Sequence, residues 1–114
     1  MKIIAMILAG SAGLFLAASA DTLSPLQKQG QAVFQGNSCF ACHDAGPGQP
    51  GTAAIAARDG DKVPAELEKR TDLTPDMVRY FVRHGVANMP PFRKTEITDA
   101  QLDALAAYLS RNNH

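Results

Sequence analysis

Cys39-Phe40-Ala41-Cys42-His43 decides how the rest of this chain is read. Thiols at positions 39 and 42 fall on one side of a helical turn. That spacing suits thioether bonds to the two vinyl groups of a haem, with His43 reaching the iron from one face; Cys-x-x-Cys-His is the attachment pattern of a c-type haem. Other uses of paired cysteines fit less well. A thioredoxin-like redox pair needs a βαβ setting, and no run of alternating apolar residues surrounds this site. A zinc site needs about four ligands. The chain has two cysteines, and His84 and His114 lack finger spacing. A disulfide across so short a span closes a tiny loop and would stabilise little.

Upstream, residues 1–20 carry an export pattern. Lys2 gives a positive start, residues 3–17 are apolar and small, and Ala18-Ser19-Ala20 is an A-x-A cleavage site. A cleaved signal peptide over 1–20 and a single domain over 21–114 are expected. As a membrane anchor the run is shorter than the ~20 residues a spanning helix needs, and Gly10, Ser11 and Gly13 interrupt it. No membrane span is therefore expected after cleavage. Export places the protein in a bacterial periplasm or on the extracellular side, and in many bacteria haem is joined to Cys-x-x-Cys-His there.

The 114 residues suffice for one domain, and 46% hydrophobic with 19% charged residues is a globular composition. Formal net charge is zero, whereas a nucleic-acid binder would carry a basic excess. Three main helices are expected. The first covers 24–36, with Ser24 as cap, Pro25 in the first turn, and Leu26, Gly30, Val33 and Phe34 on one face. Gly30 marks a close packing contact and Gly36 the helix end. The second covers 74–84, capped by Thr74, stapled by Leu73 and Val78, with Val78, Phe81 and Val82 inward and Gly85 as the stop. The third covers about 99–111, with Thr98 and Gln101 as a capping box and Leu102, Leu105, Ala106 and Leu109 as its apolar stripe. Its alanines allow the first helix to cross it, with Gly30 and Phe34 against Leu105, Tyr108 or Leu109. Short helices are expected at 52–58 and, facing solvent, at 64–70.

Residues 44–51, rich in Gly and Pro, are expected to form a non-helical loop around the proximal side of the haem. A ligating His commonly gives its second ring N–H to a backbone carbonyl, and Pro47 or Pro50 is placed to offer one. Further on, Met89 precedes Pro90-Pro91, which imply an extended loop poor in hydrogen bonds. A thioether is a soft ligand, and Met opposite His raises a haem's potential and favours electron transfer. Met89 is thus the expected sixth ligand. Met77 and His84 are competitors, the former better suited to core packing and the latter to the helix dipole.

With these residues in view, the chain from about 24 to 111 resembles a class I c-type cytochrome. The residues that carry the likeness are Gly30, Phe34, Cys39-Phe40-Ala41-Cys42-His43, Pro50, Met89-Pro90 and Ala107-Tyr108-Leu109. The resemblance implies an all-α domain of the small cytochrome c fold, one covalent haem c, His43 and Met89 as axial ligands, and Pro50 as the residue whose carbonyl holds His43. A narrower likeness involves Arg70-Thr71-Asp72-Leu73-Thr74-Pro75, Val82-Arg83-His84-Gly85 and Met89-Pro90-Pro91-Phe92. These stretches are similar to cytochrome subunits of flavocytochromes of the p-cresol methylhydroxylase and eugenol hydroxylase type, in which a flavoprotein oxidises a phenol and the cytochrome takes the electrons.

The function expected from this reading is that of a periplasmic electron carrier without catalytic residues of its own, moving electrons from a dehydrogenase to a respiratory acceptor. One alternative is a tightly bound cytochrome subunit of a flavoprotein dehydrogenase. Another, of a different class, is a haem peroxidase or gas sensor, which needs an open distal position. With no net charge, steering of redox partners has to come from local asymmetry. Arg79, Arg83, Arg93 and Lys94 flank the Met89 loop and are expected to form a basic rim that meets an acidic patch on the donor.

Overall fold

A computed structural model describes Gly13 and residues 22–46 and 48–114. The expected signal peptide, apart from Gly13, and Pro47 lie outside these residues. The described chain is all-helical: α1 Pro25–Gly36, α2 Phe40–His43, α3 Pro50–Asp59, a 3-10 turn Leu67–Lys69, α4 Pro75–His84 and α5 Asp99–Leu109. The sole strand-like pairing among the described residues is an isolated bridge between Val86 and Met89.

The three long helices begin where their caps require. Ser24 Oγ accepts from Gln27 N (3.1 Å) while Gln27 Oε1 accepts from Ser24 N (2.9 Å), a reciprocal box that satisfies two otherwise orphaned donors. Thr98 and Gln101 repeat the arrangement at α5, at 2.9 and 3.2 Å. Thr74 Oγ1 accepts from Met77 N at α4 (3.1 Å).

Packing is organised by the crossing of α1 and α5. A Cβ built on Gly30 would lie 2.6 Å from Ala104 C and 2.7 Å from Tyr108 Cβ, so the two backbones meet with no room for a methyl. Phe34 is fully buried beside Tyr108, the rings edge to face at 6.3 Å. Around this crossing Val33, Leu73, Val78, Val82, Ile97, Leu102, Leu105, Ala106 and Leu109 close the core. Leu73 and Val78, the staple expected at α4, are both buried, and so are Ile97 and Leu102 at the start of α5. Tyr108 donates its hydroxyl to Glu68, tying the 3-10 turn to α5.

Several expectations change. Leu26 is 47% exposed: the buried part of α1 is Gly30, Val33 and Phe34, so its first turn projects past the crossing. Phe81 is only half-buried and packs its ring edge on Tyr80. The short helix at 52–58 starts earlier, at Pro50, because proline suits the first helical position. The helix at 64–70 is reduced to a 3-10 turn and does not simply face solvent. Leu67 packs on the core, and Arg70 is 4% exposed.

Candidate haem site

The end of α1 delivers the motif to the core. After Asn37 the chain turns through Ser38, whose φ of 58° reverses its direction, and Cys39 N–H donates to Phe34 O (3.1 Å). Cys39 therefore rests, half-buried, against the main hydrophobic cluster. His43 N–H donates to Cys39 O (3.0 Å), which makes 39–43 the expected helical turn; the two cysteines form no disulfide, and Cys42 is exposed. Burial pushes the Cys39 thiol up, and neighbouring Cys42 adds to this.

His43 is held from the side by α3. A Cβ on Gly51 would lie 2.7 Å from Cys42 O, 2.8 Å from His43 Cε1 and 2.9 Å from His43 Nδ1. Gly51, read in the sequence as part of a helix-free loop, is thus inside a helix and is small because the imidazole occupies the space of its side chain. Thr52 Oγ1, donating to Asp44 O (2.7 Å), pins the same helix start to the end of α2. Among the described residues, Nδ1 of His43 is buried without a hydrogen-bond partner. The expected bond to Pro50 is not made: Pro50 is the first residue of α3, where its carbonyl serves the helix. Burial lowers the proton affinity of His43, and the Arg70 charge lowers it further. Both effects favour the neutral imidazole that a metal ligand requires.

Arg70 itself was not anticipated. Its guanidinium donates to both carboxylate oxygens of Asp72 (2.8 and 2.6 Å) and to Asp59 (3.3 Å). Asp59 also takes a fork from Arg58 at 2.8 Å, and with Arg58 foremost its carboxyl is lowered to about 2. The signal in the sequence is the mixture of acids and bases over 58–72.

Met89 sits in a tighter loop than its prolines suggested. Val86 and Met89 exchange both backbone hydrogen bonds (3.1 and 2.9 Å) around a turn in which Ala87 has φ 50°. Gly85, at φ 68°, lies so close to this turn that a Cβ would be 2.9 Å from Pro91 N and 3.0 Å from Pro90 C. Phe92 N–H donates to Val82 O (2.7 Å) and closes the loop on α4. The loop is therefore well hydrogen-bonded, contrary to the expectation from its composition. Met89 is half-buried against the same cluster that Cys39 touches. Of its competitors, Met77 also packs on that cluster, whereas His84 is exposed, stacks on Tyr80 (4.3 Å) and donates Nδ1–H to Tyr80 O (2.8 Å).

The expected basic rim is not a free one. Arg79 pairs with Asp76 (3.0 Å) and Asp103 (2.9 Å), Arg83 with Asp99 (2.8 Å), Arg93 with Glu96 (3.4 Å) and Lys94 with Asp99 (3.2 Å). Each base has an acid of this same chain beside it, which removes most of the local asymmetry.

These residues fit a haem. Cys39 and Cys42 lie on one turn, and the Nδ1 edge of His43 is covered by α3. Leu67, Met77, Met89 and Phe92 form a half-covered apolar fringe around the core, the kind of surface a large flat apolar group would cover. Among the described residues no helix is long and apolar enough to cross a membrane. No curated protein and no solved structure matches the chain significantly. The family described as cytochrome C oxidase, cbb3-type, subunit III matches over residues 25–109, from the start of α1 to the end of α5. The chain belongs to this family of c-type cytochrome domains and is a class I monohaem cytochrome with one covalently bound haem c.

Proposed function

We propose that the protein is a periplasmic electron carrier whose haem is attached through Cys39 and Cys42 and ligated by His43 and Met89. The observation that carries this reading is the placement of Cys39 and Met89, distant in sequence, against one hydrophobic cluster. The haem supplies a one-electron ferric/ferrous couple. The chain's part is to hold it still. α3 fixes the ring plane of His43 by steric contact, the closed loop fixes Met89, and the core limits access of water. Two strong protein ligands leave no vacant position for peroxide or gas chemistry. Export to the periplasm rests on the pattern of residues 1–20.

Redox partners are met at short range rather than by charge steering, since the bases near the loop are paired. Val86 is 51% exposed, and Pro90 and Pro91 are exposed beside it; this apolar tip is the proposed contact with a dehydrogenase and with a respiratory acceptor. The stretches that resemble flavocytochrome subunits are the arginine–aspartate cluster and the Met89 loop. That likeness falls partly on buried ion-pair residues and partly on the proposed contact loop, and by itself it does not single out a flavoprotein partner. A flavin-bearing subunit that stays bound through gentle purification would establish one.

The test is Met89→Ala in the ferric protein. The weak far-red band of a Met–iron bond should vanish, the potential should fall, and carbon monoxide should bind the ferrous form without prior denaturation. A variant with the wild-type spectrum and potential moves the ligand to Met77 or His84. Haem released from the polypeptide by acid and organic solvent would defeat attachment through Cys39 and Cys42.

A further inference from the structure

Arg83 bonds to the exit of the Met89 loop, which sets it apart from the other bases near that loop. Its side chain is only 19% exposed. Nη1 donates to Phe92 O (3.1 Å) and to Ile97 O (2.8 Å), and Nη2 donates to Asp99 Oδ1 (2.8 Å). These acceptors belong to three places: the exit of the Met89 loop, the fully buried Ile97, and the first residue of α5. Beside it, Val82 O takes the N–H of Phe92 at 2.7 Å. Residues 82–92 thus form a hoop closed at both feet. Gly85 ends α4 at one foot, and at the other one guanidinium ties the loop exit both to α4 and to the start of α5.

We propose that Arg83 is a positioning residue that latches the Met89 loop and so sets how firmly Met89 keeps its place against a competing ligand. This rests on the reading of Met89 as the sixth ligand. A loop opens locally when the bonds that hold it are lost, and here this side chain and the bond from Phe92 N–H to Val82 O tie the loop's exit to α4. The latch needs the planar fork of arginine: a lysine ammonium is a point donor and does not reproduce the directed set of bonds. Arg79, one turn earlier on α4, is the natural control. It is more exposed and pairs with Asp76 and Asp103 without touching the loop.

The experiment titrates the oxidised holoprotein with imidazole and follows loss of the far-red Met–iron band. Alongside, amide hydrogen exchange is measured at Met89 and Phe92. Loss of charge-assisted hydrogen bonds at a poorly solvated site corresponds to about a tenfold change. Arg83→Gln should therefore bind imidazole about tenfold more tightly and exchange Phe92 about tenfold faster, with α1 amides unchanged. Arg83→Lys should fall between, and Arg79→Gln should match the wild type. Equal imidazole affinity and equal Phe92 exchange in Arg83→Gln and Arg79→Gln would overturn the latch. If Arg83→Gln fails to take up haem, Arg83→Lys and Asp99→Asn decide, since each removes part of the bond set; wild-type affinity and exchange in both would overturn it. A wild-type protein without the far-red band, or Met89→Ala that retains it, overturns the ligand assignment and the latch together. A Met89-dependent band that is indifferent to Arg83 overturns the latch alone.

Discussion

Substituting Gly51 by Ala sets two effects of opposite sign against each other. Gly51 lies in the first turn of α3 without a left-handed φ, so no backbone strain attends the change. Helix propensity alone favours Ala by about 1 kcal/mol. The new methyl, however, would sit 2.7 Å from Cys42 O, 2.8 Å from His43 Cε1 and 2.9 Å from His43 Nδ1. Ordinary contact begins at about 3.5 Å, so the methyl is short of room by roughly 0.7 Å against several atoms at once. Two of these atoms belong to the imidazole and the third to the backbone beside it, on the turn that the proposed haem attachment would hold in place. The start of α3 has to yield. Overpacking by one methyl costs about 1–3 kcal/mol, which outweighs the propensity gain and leaves a net loss of about 0–2 kcal/mol. Urea unfolding of the ferric holoprotein, followed by far-UV circular dichroism, measures the sign. The midpoint potential shows whether the imidazole has moved. A variant more stable by about 1 kcal/mol with an unchanged potential would refute the claim that α3 presses on His43.

Gly30→Ala should lower the urea midpoint by the equivalent of about 1–3 kcal/mol, because its methyl meets the backbone and Tyr108 Cβ of α5; an unchanged midpoint would contradict the close crossing. Gly85→Ala combines a left-handed φ of 68° with contacts at Pro90 and Pro91, so the far-red band should melt well below global unfolding. Joint melting of the two would count against it. Burial first, and the bond to Glu68 second, raise the Tyr108 hydroxyl to about 12. A raised folded value means the neutral phenol is favoured by folding. That stability is intact below the unfolded tyrosine value of about 10 and is lost as pH rises through 12. Tyr108→Phe should abolish this alkaline loss, and an equally steep decline in the variant would assign it elsewhere.

The sequence by itself determined the features whose partners lie within one helical turn. The boxes at Ser24 and Gln27, and at Thr98 and Gln101, the Thr74 cap and the Gly85 stop are satisfied by neighbours three or four residues away, so those bonds are written in the local sequence. The turn that sets Cys39 and Cys42 on one side is local in the same sense. The tertiary structure alone decided what depends on distant partners. Gly51 resembled a loop breaker until His43 was seen in the space of its side chain. Leu26 has the spacing of a core residue, but α5 does not reach its turn. The bases around Met89 read as a free rim because their acids, Asp99 and Asp103 among them, stand on another helix. The Met89 loop read as poorly bonded because the groups that close it, Val82 O and the Arg83 guanidinium, belong to α4. Periodicity and capping express constraints between residues less than about a turn apart. Which charge finds which carboxylate, and which glycine is needed for a neighbour rather than for a bend, follows from how helices α1, α3, α4 and α5 are laid together, and that arrangement is written in no single segment.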